Sequence, residues 1–175
     1  AKAWTEVSAA LGIDQNLSDG LISRGILLTD FEWNWPAGET DYRRALELNP
    51  NFAAAQGFLG YALALDGQCD RAIEHFTEAL SRSPNDPQNI LFMTGLGHAH
   101  YQAGRFGEAI RHTQDVLHQR PEYIGAHRQL CASMAQAGRM EEARASLARL
   151  KEVQPNVSLA WIEGNLPLTS EAMKR

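Results

Sequence analysis

The sequence predicts an all-α fold, an α-solenoid of about four stacked helix-turn-helix pairs with capping helices at its ends. Three observations carry this. Proline recurs at Pro50, Pro84, Pro121 and Pro155, at spacings of 34, 37 and 34 residues. Alanine stands twelve residues before three of these prolines, at Ala72, Ala109 and Ala143, and glycine five residues before each alanine, at Gly67, Gly104 and Gly138. Between these marks apolar residues fall at helical spacing. In "AIEHFTEALSRSP" Ile73, Phe76, Ala79 and Leu80 share one face, with Glu74, Glu78 and Arg82 between them.

The elements follow in order along one domain, 1–175. "AKAWTEVSAALGIDQN" reads as the second half of an earlier pair (1–15), a helix near 2–13 with Gln15 where later units carry proline. Pairs follow near 18–50, 53–84, 90–121 and 124–155, with a C-terminal cap over 156–175. The expected helices run near 17–31, 38–49, 52–66, 69–82, 88–103, 106–119, 122–137 and 140–153, then one or two short helices in the tail "SLAWIEGNLPLTSEAMKR". Glycine ends each first helix because it accepts the left-handed conformation, and proline stops each second helix. Small residues (Gly25, Gly60, Gly97, Cys131, and the alanines above) admit close helix approach. Leu59, Phe76, Leu96, Leu130 and Leu147 are expected to fill the layer between. The first pair carries a surplus around "FEWNWPAGE", and the third has three extra residues near Asp86-Pro87-Gln88.

Bulk properties narrow the function. Of 175 residues 44% are apolar, 8% aromatic and 21% charged, the balance of a water-soluble globular chain. No run approaches the roughly 18 apolar residues of a membrane span, and no secretory leader opens the sequence, so no membrane partner is expected. Two distant cysteines, Cys69 and Cys131, fit a reducing, cytoplasmic compartment. The net charge of −5 divides into −7 over residues 1–86 and +2 over 87–175, without the dense basic stripe of a nucleic-acid binder. Phosphate-loop, zinc-protease and nucleophile-elbow motifs are absent, so neither enzyme activity nor a cofactor is expected. No metal site is expected either. His98 and His100 sit two apart and point to different helix faces, while His127 and Cys131 share a face that is read as core. Trp33 and Trp35 are read as a packed corner.

The Gly, Ala and Pro positions, with Leu59-Gly60 and Ala72, Phe76, Ala79 in the second unit, resemble the tetratricopeptide repeat family across nearly the whole chain. "FEWNWPAGETDYRRALELNPNFAAA" and the tail look more narrowly like the repeat arrays that follow signalling domains in bacterial adenylate cyclases and winged-helix transcriptional regulators. The resemblance implies a right-handed superhelix whose first helices line an inner wall. It implies a non-catalytic protein–protein interaction scaffold, a regulatory module excised from a larger protein, with a protein or peptide, or an attached upstream effector domain, as partner. A sensory module binding a small ligand or sugar in the groove is the alternative. Projected onto this sequence, the inner wall selects Phe58, Tyr61, His98, Tyr101, Gln102, Arg128, Gln129 and Gln136. The lysine and asparagine clamp that the family uses for a peptide's terminal carboxylate has no counterpart at these positions. Two readings stand for Tyr61 and Tyr101: contact with a partner, or packing between neighbouring first helices.

Overall fold

The structure is a computed structural model and describes residues 2–158. Within that range the helices are α1 (Lys2–Ile13), α2 (Ser18–Asp30), α3 (Trp35–Leu48), α4 (Ala53–Leu65), α5 (Cys69–Arg82), α6 (Asn89–Gln102), α7 (Phe106–Gln119), α8 (Ile124–Gln136) and α9 (Met140–Val153), and no strand occurs among the described residues. α2 packs on α3, α4 on α5, α6 on α7 and α8 on α9, while α1 lies against α2. The first helices α2, α4, α6 and α8 also touch in succession, which makes them one wall of a helical solenoid.

The punctuation works as the residue types require. Gly67, Gly104 and Gly138 sit at φ +77°, +73° and +76°. Around Gly67 the amide donates to Ala64 O at 3.1 Å and the Gln68 amide to Leu63 O at 2.8 Å, so two end carbonyls of α4 are satisfied. The same pair of bonds recurs after α6 and α8. The second helices stop alike. Asn49, Ser83, Arg120 and Gln154 precede prolines and share φ between −136° and −138°, the extended backbone that a following proline imposes. The extra residues of the third unit form a turn held by the Asp86 carboxylate, which accepts from the Gln88 amide at 2.8 Å, and α6 begins at Asn89.

Packing turns on rings seated over glycines. Tyr42 lies over Gly25, Phe92 over Gly57, and Phe76 between Gly60 of α4 and Gly95 of α6. These three rings are 0–1% exposed. Burying each contributes about 1.5–3 kcal/mol, provided no Cβ stands in the way. Ala72, Ala109 and Ala143 are buried, as the repeat register requires. Thr113 occupies a core position in α7 and returns its buried hydroxyl to Ala109 O at 2.6 Å. Arg24 of α2 grips the buried Asp41 of α3 through two bonds of 2.7 and 2.6 Å.

Two expectations need correction. α3 starts at Trp35, before the expected position 38, because the Asn34 side chain accepts from the Ala37 amide at 3.3 Å and Pro36 suits the first turn. Leu147 does not fill the core layer: it is 37% exposed, since it lies on the last described helix and no further described pair covers it. The expected helices of the C-terminal cap fall outside the described residues.

Candidate functional site

Tyr61 from α4, His98 and Tyr101 from α6, and Arg128 and Gln129 from α8 all line one open groove of about 820 Å³. They meet because each sits on the same face of a first helix and the helices stack one unit apart. Small residues, Gly95, Gly125 and Ala132 among them, keep the floor low between the side chains.

Each lining group is held in place. The Tyr61 ring packs edge-on against Phe76 at 5.0 Å between centroids, and its hydroxyl donates to Leu91 O at 2.6 Å. Tyr61 therefore forms the wall, and its phenol titrates well above the usual range because burial disfavours the anion. Tyr101 stacks on His98 at 6.4 Å and leans on Phe106 at 5.7 Å. Burial pushes His98 below the ordinary histidine value and the Cys131 thiol above its own. The Arg128 guanidinium donates to Gln154 Oε1 through Nε at 3.0 Å and Nη2 at 2.7 Å, tying α8 to the end of α9. The Gln129 side-chain amide lies over Gly97, and its buried Nε2 has no acceptor among the described residues. Arg128 and Lys151 are the cations of the lining, and no described lining residue is a carboxylate.

Three expected wall residues lie elsewhere. Phe58 is taken up by packing: it stacks on Tyr42 at 5.9 Å and meets Phe92 edge-on at 5.7 Å, beside a separate cavity of about 160 Å³. Gln102 and Gln136 are the last residues of α6 and α8, beyond the groove and exposed. Gln102 meets Cys69 of α5 instead, its Oε1 3.8 Å from the thiol. Conversely, Leu147, Leu150, Lys151 and Val157 line the groove although the sequence reading did not place them there. The available signal was position in the stack: they belong to the last described helix and the turn after it, where no further described pair follows.

Of the other singled-out residues, His127 is tied to the backbone, Cys131 also lines the groove, and Trp33 is 45% exposed. The His127 ring bonds Pro121 O at 2.6 Å, and Cys131 Sγ points to Ala143 O at 3.5 Å. No cluster of three metal-ligating side chains occurs among the described residues. Trp33 and Trp35 form an edge-on pair at 6.2 Å. No described helix is long and apolar enough to cross a membrane.

Paired helices with this punctuation and a groove along their first members define a helical-repeat protein. Two family models, both described as tetratricopeptide repeat, match residues 34–87 and 100–162. The chain belongs to the tetratricopeptide repeat family. No curated protein matches it. Among solved structures it is similar to PilW, described as a widely conserved type IV pilus biogenesis factor (TM-score 0.83, 18% identity, 99% of this chain and 88% of that one). It is also similar to MamA 41-end from Desulfovibrio magneticus RS-1 (TM-score 0.73, 19% identity, 85% and 82%). A MamA mutant is 26% identical over 78% of this chain and 77% of its own, with TM-score 0.63.

Proposed function

We propose that this chain is a non-catalytic protein-interaction scaffold that binds a peptide or partner helix in the groove of α4, α6 and α8. The observation that carries the reading is the convergence of Tyr61, His98, Tyr101, Arg128 and Gln129, from three successive repeats, on one groove. Tyrosines offer broad contact area at low entropy cost, and Arg128, Lys151 and the Gln129 amide suit backbone carbonyls or a carboxylate. An extended segment running across the stack would meet one such group per repeat.

The narrower reading, a regulatory module from a larger bacterial signalling or transcription-regulatory protein of the cytoplasm, is supported by the "FEWNWPAGE" segment and the tail. A groove of about 820 Å³ also falls in the size range of small-ligand sites, which supports a sensory role as second reading. The test is quantitative capture of native-lysate proteins on the full chain and on Tyr101→Ala with Arg128→Ala, both checked for helix content. Selective loss of a captured partner supports the scaffold. Unchanged capture places binding on another face.

A further inference from the structure

Trp33 holds a backbone conformation that favours glycine. Its φ is +55°, and no other non-glycine residue has positive φ among the described residues. After α4, α6 and α8 the left-handed turn is made by Gly67, Gly104 and Gly138. After α2 it is made by Trp33, and it lets the Asn34 amide donate to Leu28 O at 2.9 Å. Glycine would close this turn with less strain. Packing does not use up the indole either. It meets Trp35 edge-on yet stands 45% exposed, and Phe31, two residues earlier, is 72% exposed. A large aromatic side chain is thus held half bare where its own backbone is strained.

The electrostatics name what these rings can receive. A helix ends on a partial negative charge that a base relieves. α2 and α4 have no base in their last turn and finish on acids instead, Asp30 in α2 and Asp66 as the cap of α4. Asp30 and Leu65 line one cavity, so the two helix ends are neighbours. Glu32, between the two exposed rings in sequence, is itself exposed, and no described residue pairs with its carboxylate. Aromatic faces beside exposed carboxylates attract a cation through the ring quadrupole and through charge together.

We propose that the Phe31–Trp33 corner, at the α2 end of the stack, is a second docking surface and takes an arginine-bearing segment of a protein partner. Arginine suits it better than lysine, because the flat guanidinium stacks on an indole while its fork reaches a carboxylate. A proline-rich segment would use the rings and leave Asp30, Glu32 and Asp66 without a role. The inference does not rest on the reading of the α4, α6 and α8 groove.

The probe is an acetylated and amidated peptide of arginines alternating with glycines, titrated into the isotope-labelled full chain. The readout is the indole N–H resonance of Trp33, identified by its loss in Trp33→Gly. The expected result is a saturable shift with Kd on the order of a millimolar at low salt. Glu32→Gln should weaken binding roughly threefold, and so should salt raised to about 0.3 M. The same peptide with lysine for arginine should bind roughly threefold more weakly. Trp33→Gly, followed on the Phe31 and Glu32 amide resonances, should lose at least roughly fivefold in affinity and keep its helix content, since glycine suits the turn. Where that variant loses helix, Glu32→Gln with Asp66→Asn replaces it and must still weaken binding. Equal affinity of the wild type and the variant overturns the proposal. A lysine peptide that binds as tightly overturns it too, because charge alone would then suffice. A proline-rich peptide that shifts Trp33 more strongly overturns it in favour of polyproline recognition. Tyr101→Ala with Arg128→Ala must leave the arginine peptide's affinity unchanged; a loss there would move the peptide to the groove. Unchanged partner capture by that double variant counts against the scaffold reading alone.

Discussion

Gly95→Ala tests the packing of rings over glycines. A Cβ at Gly95 would stand 2.7 Å from Phe76 Cε1 and 2.8 Å from Tyr61 Cζ, well inside van der Waals contact, with Phe76 Cζ closer still. Phe76 cannot step aside. It is 0% exposed, and on its other side a Cβ placed at Gly60 would stand only 3.0 Å from the same ring, so that wall is already close. Replacing a mid-helix glycine by alanine gains about 1 kcal/mol of helix propensity. Relieving the overlap needs a ring shift approaching an ångström in a closed layer, which costs about 3 kcal/mol, the upper end for overpacking. The net expectation is a loss of about 2 kcal/mol, or several degrees in melting temperature for a chain of this size. Gly107→Ala is the control: no atom lies within 4 Å of its Cβ, so it should be neutral or stabilising by up to about 1 kcal/mol. Thermal and urea unfolding followed by circular dichroism read both. Because Tyr61 shares the overlap, Gly95→Ala should also disturb the groove wall. A Gly95→Ala protein as stable as wild type, with Gly107→Ala behaving the same, would refute the reasoning.

Other expectations follow from the same contacts. Ala109→Leu should overpack the α6–α7 contact and cost about 1–3 kcal/mol in urea unfolding; an unchanged midpoint would mean the assigned register is wrong. Arg24→Ala leaves the buried Asp41 without its two bonds and should cost about 1–3 kcal/mol. Arg149→Ala breaks only an exposed pair with Glu152 and should cost under about 1 kcal/mol, so equal losses in the two variants would contradict this ranking. Burial lowers His75, His98, His100 and His112 below their ordinary value of 6.5. The unfolded chain therefore takes up protons first, and stability should be full above pH 6.5 and fall as pH drops below it. Melting temperatures between pH 7.5 and 5 check this; His98→Gln should flatten the slope, and a rise on acidification would reverse the sign.

The solenoid was legible because its punctuation is local chemistry. Gly67, Gly104 and Gly138 need only their own backbone to end a helix, and Pro84 needs only its ring. The five wall residues were legible because helical spacing repeats once per unit. What failed depends on neighbours that spacing does not contain. Phe58 is at a wall position, but the rings of Tyr42 and Phe92 capture it. Gln102 and Gln136 share the face but lie at the helix ends, where the chain already turns away. Leu147 matches a core position, yet it sits on the last described helix, so the repeat rule ran out there. The early start of α3 was hidden in "FEWNWPAGE", whose Asn34 and Pro36 were read as surplus and act as cap and first turn.

The central claim, that partners bind along α4, α6 and α8, is tested most directly by site-specific photocrosslinking in native lysate. A benzophenone side chain replaces Thr94, which lines the groove, or Gln114, which is exposed on α7 away from it. The account predicts a discrete crosslinked partner from position 94, absent from position 114 and lost when Tyr101→Ala and Arg128→Ala are added. The same adduct from position 114, or one from position 94 that persists in the double variant, would contradict it.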